Sequence, residues 1–297
     1  MTRRRVLVTG ARGQLGDAVV RAFADDDVVA STRATLDITN PAAVAREVAA
    51  LRPAVIVNCA AFNDVDGAED RPEDALAANA FAVRSLARAA DAAGALLVHY
   101  GTDFVFDGNA TEPYNEESAP SPRSVYAASK LLGEWFALEA AAGFVLRVES
   151  LFGTPEGWTG RLGTLDRMLQ ALREGREVVA FTDRIVSPSA VDDVAAATKH
   201  LVAGGAAPGL YHCVNSGSAS WHDVAVEAAR LLGVTPRIRP VTTADVTMRA
   251  TRPRYCVLSN ARLAAAGFTM PDWQDALRRS LPRTRETAAG RPQGEER

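Results

Sequence analysis

The chain alternates short, continuous apolar runs with longer segments of helical composition. Val6-Leu7-Val8, Val28-Val29-Ala30, Val55-Ile56-Val57 and Leu96-Leu97-Val98 show little polar alternation, which is the pattern of strands covered on both faces. Between them, Gln14 to Ala24, Pro41 to Leu51 and Pro72 to Ala93 carry helix formers. Asn40 before Pro41 reads as an N-cap with Pro at the first helical position. A further helix is expected from just after Pro122 to about Ala142, followed by a strand at Phe144-Val145-Leu146. The rhythm then loosens around Trp158 and several glycines. Beyond them a helix near Leu165 to Glu174, a strand at Val178 to Phe181, a helix at Val191 to Val202 and a strand at Tyr211 to Val214 are expected.

Repeated β-α-β units with crossovers of this length predict the α/β class, with a doubly wound, Rossmann-like parallel sheet and helices on both faces. Gly10-Ala11-Arg12-Gly13-Gln14-Leu15-Gly16 follows the first predicted strand directly and opens the first helix. Glycines at i, i+3 and i+6 let a backbone turn tightly and approach a pyrophosphate, while the helix start offers free N–H groups and a partial positive charge. At this position the triplet points to a dinucleotide site. The expected organisation is therefore a dinucleotide-binding domain of residues 1–150 plus about 178–215, with a smaller substrate domain of 151–177 plus about 216–282 interleaved. The polar segment 283–297 has no apolar periodicity, which predicts a disordered tail.

Composition narrows the partners. With 297 residues, 47% apolar content and a formal charge of −3, the chain is long and apolar enough for a real core. It has no basic block that would attract nucleic acid or an anionic membrane. Cys59, Cys213 and Cys256 are odd in number and lack C-x-x-C spacing, and the four His lack ligand spacing, so neither a disulfide framework nor a metal is expected. The basic start at Arg3-Arg4-Arg5 is followed by only four residues before Gly10, too short for a secretory h-region, and no apolar run approaches the ~20 residues of a membrane span. A cytoplasmic protein acting on a small molecule is the expectation, with a homodimer allowed.

At the end of the second predicted strand stand Ser31-Thr32-Arg33, with no carboxylate for a ribose 2′-hydroxyl. NADPH is therefore expected rather than NADH, which stays the alternative cofactor; Arg12 and Arg33 are the candidate partners of a 2′-phosphate. Tyr126-Ala127-Ala128-Ser129-Lys130 places a phenol and an ammonium one turn apart on one helix face. With five Tyr and two Lys in the chain, this spacing is rare by chance. An adjacent ammonium is expected to lower the phenol pKa, making Tyr126 a usable proton donor for carbonyl reduction. His99-Tyr100-Gly101-Thr102-Asp103 closes the fourth strand at its carboxyl end, where ligands sit in open α/β sheets. There Thr102 can bind a substrate carbonyl, or Thr102 and Asp103 can serve as a turn cap. His99 reads as structural, and Arg147 as either a nucleotide contact or a loop support.

Together these residues resemble the extended short-chain dehydrogenase/reductase family, and within it the dTDP-4-dehydrorhamnose reductases. The resemblance runs through Arg52 to Ala61, Val65 to Glu69, Val98 to Gly108, Pro113 to Glu116 and Tyr126 to Glu134, with weaker matches at Gly209 to His212 and Thr251 to Pro253. It implies Thr102, Tyr126 and Lys130 as catalytic residues. It implies cofactor contacts from Gly13, Gln14, Leu15, Thr32, Asp37, Ile38, Ala60, Ala61, Phe62, Asn63, Tyr100 and Lys130, beside Gly10, Arg12, Gly16 and Arg33 of the loop and strand end. It implies substrate contacts from Val65, Thr102, Asp103, Phe104, Tyr126 and Leu151. Phe104 stands where the family commonly has Tyr, Leu151 where it has Trp, and Tyr255 where an Asn follows Arg-Pro. These departures fall on the sugar side and leave the redox set intact. The implied substrate is a dTDP-linked 4-keto-6-deoxyhexose, either the rhamnose precursor or a sugar of an antibiotic pathway. The same fold also resembles the non-catalytic regulatory subunit of methionine adenosyltransferase, which is the alternative.

Overall fold

The computed structural model describes residues 3–155 and 158–281; the tail expected at 283–297 lies outside the described residues. Strands β1 (Arg5–Thr9), β2 (Asp27–Ala30), β3 (Val55–Asn58), β4 (Leu96–Thr102) and β5 (Gly143–Val148) alternate with helices α1 (Gln14–Ala22), α2 (Pro41–Leu51), α3 (Val65–Asp70), α4 (Pro72–Leu76), α5 (Ala82–Ala93) and α6 (Val125–Leu138). Next come β6 (Leu151–Phe152), α7 (Thr164–Arg173), β7 (Val178–Phe181), β8 (Ile185–Val186), β9 (Ser189–Ala190) and α8 (Val191–Ala203). The chain ends with β10 (Gly209–His212), β11 (Ala219–Ser220), α9 (Trp221–Leu232), β12 (Ile238–Val241), α10 (Ala261–Ala265) and α11 (Trp273–Ser280).

Six strands form one parallel sheet in the order β2-β1-β3-β4-β5-β10. The sheet is Rossmann-like, with helices on both faces. Its period of two is visible in the two cores: Val6, Val8, Val55 and Val57 face α1 and α8, while Leu7 and Ile56 face α2 and α5. Each such side chain, fully buried, contributes about 1.5–3 kcal/mol, and burial on both faces is why these strands carry no polar alternation. Asn40 caps α2 by accepting from the Ala43 N–H at 3.0 Å, with Pro41 at the first turn. Because β1 lies between β2 and β3, the connections leave β1 in opposite directions, which opens a crevice at the strands' carboxyl ends.

Two expectations change. The helical run from Pro72 to Ala93 contains a π turn at Ala77–Phe81. Its extra residue turns Asn79 inward, where the side-chain amide accepts from Phe62 N–H (2.8 Å) and donates to Phe62 O (3.1 Å) and Ser129 Oγ (3.0 Å). The turn thereby pins the loop after β3 to the middle of α6. Strand β7 lies apart from the six-stranded sheet: it pairs in parallel with β12, and Val178 and Ala180 join the second core with Leu165, Leu169, Val224 and Leu277. A short strand with one exposed face, as at Val179, needs only a two-strand ribbon and a covering helix, which α9 supplies. No helix among the described residues is long and apolar enough to cross a membrane.

Candidate active site

The glycine loop is shaped by close backbone contact. Gly10 has φ +64°, and a Cβ there would lie 2.6 Å from the Ala60 nitrogen; one at Gly16 would lie 2.2 Å from the Gly10 carbonyl oxygen. Gly13 is the N-cap of α1 and no side chain caps that helix, so the first-turn N–H groups stay available to a ligand. Below the loop, Thr9 Oγ1 donates to Asn58 Oδ1 (2.6 Å), and the Asn58 amide reaches His99 Nδ1 (3.1 Å). His99 is therefore part of a polar bridge across β1, β3 and β4. Burial holds its pKa well below the usual value, so the ring is neutral.

On α6, Ser124 caps the first turn through Ala127 N–H, and Glu69 accepts from Val125 N–H at 2.8 Å. Tyr126, Lys130 and Glu134 follow at a spacing of four and share a face. Lys130 is 3% exposed and its Nζ donates to the Tyr100 carbonyl at 2.5 Å. Burial pushes the ammonium down to about 8, opposed by Glu134 and Cys59. Glu134 pairs with buried Arg147, Nη2 to Oε2 at 2.8 Å. Arg147 is thus a structural cation that also covers the Phe106 ring at 5.0 Å, which decides between its two sequence readings.

The expected acidification of Tyr126 by Lys130 is corrected. Burial first, and the Asp103 carboxylate second, push the phenol up, while the Thr102 hydroxyl opposes them. The ammonium is committed to Tyr100, and a phenol partly withdrawn from water beside a carboxylate resists ionisation. Tyr126 is therefore placed to act as a proton donor. The structure shows the turn-cap reading of Thr102: its Oγ1 accepts from Phe104 N–H at 3.3 Å, capping the turn Asp103–Val105, and donates to Asp103 Oδ1 at 3.0 Å.

A cleft of roughly 750 Å³ runs between the carboxyl ends of the sheet and the second lobe. Of the residues expected at the cofactor, Arg12, Gly13, Gln14, Leu15, Gly16, Ala60, Ala61, Phe62, Asn63, Tyr100 and Lys130 line it. Every residue expected at the substrate or in catalysis lines it too: Val65, Thr102, Asp103, Phe104, Tyr126 and Leu151. Gly10 opens the loop and does not itself line the cleft. Thr32, Arg33, Asp37 and Ile38 lie outside the lining: Ile38 is buried in the core around α2, Asp37 accepts from Thr39 Oγ1 at 2.7 Å, and exposed Arg33 lies 3.9 Å from Asp37. Phe104 meets the Tyr126 ring edge-on, with centroids 5.9 Å apart. Tyr255 packs near Tyr114 and does not line the cleft.

Sequence reasoning missed most of the opposite wall. Arg161, Arg167, Arg184 and Arg252 line it with Trp158 and Trp221. Arg252 is held by Asp66, Nη2 to Oδ2 at 2.6 Å, and that contact holds the Asp66 carboxyl down to about 2. In a chain with 31 Arg among its 33 basic residues, nothing local marks these four. The two lobes also meet at Gln14, whose amide donates to Asp166 of α7 at 2.7 Å.

The family model described as RmlD substrate binding domain matches residues 4–286. The chain belongs to the RmlD substrate-binding-domain family. Its match spans both lobes, so the cleft is internal to the family unit. Among RmlD-type relatives, a dTDP-4-dehydrorhamnose reductase of Streptomyces griseus is 39% identical over 290 residues, covering 94% of each chain. A dTDP-4-keto-6-deoxy-D-glucose reductase of Streptomyces niveus is 36% identical over 286 residues, covering 94% of this chain and 96% of that one. Among solved structures, a dTDP-4-dehydrorhamnose reductase of Bacillus anthracis in complex with NADP superposes with a TM-score of 0.88 at 34% identity, covering 94% of this chain and 98% of that one.

Proposed function

We propose that this chain uses NADPH to reduce the 4-keto group of a dTDP-linked 4-keto-6-deoxyhexose. The observation that carries the reading is the placement of the Tyr126 phenol, the Thr102 hydroxyl and the Lys130 ammonium in one cleft with the uncapped glycine loop. The names of the relatives, reductases of dTDP-linked sugars, support the substrate class. The competing reading, a regulatory subunit that only binds, gives no reason for placing a phenol beside a buried ammonium and a buried carboxyl on one open cleft.

The loop fits a dinucleotide: the space a Cβ at Gly16 would fill is closed by the loop itself, and the α1 N–H groups face the cleft without a competing cap. When bound, the reduced nicotinamide supplies the hydride. The protein's own work is on the substrate oxygen and on orientation. Tyr126 holds the proton that the developing alkoxide takes, and the Asp103 carboxylate beside it favours the protonated phenol until then. Thr102, oriented by its bond to Asp103, presents its oxygen beside the phenol. Lys130 remains a cation at neutral pH and can hold a ribose hydroxyl while keeping its bond to Tyr100. Arg161, Arg167, Arg184 and Arg252 supply charge for the substrate's diphosphate. The reading is tested by incubating the protein with NADPH and freshly generated dTDP-4-keto-6-deoxyhexose, with and without a 3,5-epimerase, and identifying the product by NMR. A dTDP-6-deoxyhexose reduced at C4 is expected. Unchanged keto sugar and unconsumed NADPH, with both substrates shown to bind, would overturn it.

A further inference from the structure

Asp103 and Glu149 bring two carboxyl groups together behind the Thr102 hydroxyl. Asp103 is 3% exposed and Glu149 1%. Thr102 Oγ1 donates to Asp103 Oδ1 at 3.0 Å, and the Ser187 N–H donates to Glu149 Oε2 at 2.9 Å. The other two oxygens, Asp103 Oδ2 and Glu149 Oε1, are buried without a partner among the described residues. An oxygen of each carboxyl lies within 4.8 Å of the other and of Cys256 Sγ. The groups facing the pair are the Arg184 guanidinium, which attracts both carboxylates, the Cys256 thiol, which burial keeps protonated, and the phenols of Tyr126 and Tyr255. One cation therefore stands against two possible anions whose free oxygens are buried. A single proton retained by the pair removes the uncompensated charge.

We propose that Glu149 is a positioning residue for this reduction: it retains one proton with Asp103, so that Asp103 stays the singly charged acceptor that takes the Thr102 hydroxyl proton and leaves the Thr102 oxygen presented beside the Tyr126 phenol. This rests on the reductase reading above. Burial lifts Asp103 to about 6, and burial with the neighbouring Asp103 lifts Glu149 well above the usual range, which puts the proton on Glu149 at neutral pH. Loss of that proton at higher pH places two negative charges beside the phenol and makes Tyr126 a poorer donor. Gln reproduces the neutral acid, since its carbonyl can accept from Ser187 N–H and its amide can face Asp103. Ala removes both partners.

The test compares wild type, Glu149→Gln and Glu149→Ala by NADPH binding, by kcat and KM across pH 6–9, and by urea unfolding across pH 5–8. Glu149→Ala should lower kcat about tenfold or more with NADPH affinity held. Glu149→Gln should recover most of that loss and show a smaller alkaline decline than wild type, keeping only the part that loss of the Lys130 proton causes. In unfolding, the native pair holds a proton that the unfolded chain has released above pH ~4.5, so wild-type stability falls relative to Glu149→Gln as pH rises. Glu149→Gln as inactive as Glu149→Ala, or unfolding curves of wild type and Glu149→Gln that shift in parallel across pH, would overturn the proposal. If no protein reduces any keto sugar, the reductase reading fails while the unfolding comparison still decides where the proton resides.

Discussion

The Lys130 ammonium is bonded to the Tyr100 carbonyl at 2.5 Å, not to the Tyr126 phenol one turn earlier on the same helix. A buried cation fixed in this way should show itself in stability. Burial lowers its pKa to about 8 from an ordinary value of 10.5. Between those values the unfolded chain holds more protons than the native one, so stability rises with pH. Relative to Lys130→Met, the wild type should gain about 1–3 kcal/mol between pH 8 and 10. Urea unfolding of both proteins at the two pH values checks this, and a difference that does not change with pH would rule out a buried ammonium.

Tyr126→Phe removes the donated proton and the hydroxyl's contact with Thr102 while keeping the ring that Phe104 meets with centroids 5.9 Å apart. The expected loss in kcat is about 10²- to 10⁴-fold. NADPH affinity, read by fluorescence titration, should stay close to wild type. A turnover near normal would remove Tyr126 from the role of acid.

Glu134 and Arg147 form an ion pair with side-chain exposures of 1% and 3%. Removing one partner strands the other, at a cost of about 3–5 kcal/mol. Glu134→Ala should therefore unfold at much lower urea concentration, and Arg147→Met combined with Glu134→Leu should recover most of the loss. Failure of the double variant to recover would mean that Glu134 acts through Lys130, whose charge it also supports, and not through Arg147.

The parts of this molecule that could be read from sequence were those where a local pattern carries the constraint. Continuous apolar runs mark the central strands because both faces are covered, and the Tyr126 to Lys130 spacing marks a helix face because the helical period is fixed. Glu134 continues that stripe, but its burial against Arg147 is a tertiary contact that spacing does not show. The remainder depends on contacts distant in sequence. Val178 joins the second lobe because Ile238 pairs with it, 60 residues downstream. The π turn exists where Asn79 meets Phe62 and Ser129, a tertiary contact that overrides a good α-helical composition. The upward push on the Tyr126 phenol comes from its desolvation in the cleft wall and from Asp103, neither of which spacing reveals.

The glycine loop offers a graded prediction. A Cβ at Gly16 would sit 2.2 Å from the Gly10 carbonyl oxygen and 2.9 Å from the Ala11 Cα, both main-chain atoms that cannot swing aside. At Gly13 the nearest atom, also the Gly10 oxygen, is 3.1 Å away, and a shift of a few tenths of an ångström relieves the contact. Gly16→Ala should therefore cost about 1–3 kcal/mol of stability, and Gly13→Ala less. The loop must move to admit the methyl group, and that movement displaces the first-turn N–H groups from the cleft. NADPH affinity should accordingly fall further for Gly16→Ala than for Gly13→Ala. Thermal unfolding with and without NADPH measures both effects, and the reverse order of the two variants would show that the loop is not set by the Gly10 to Gly16 contact.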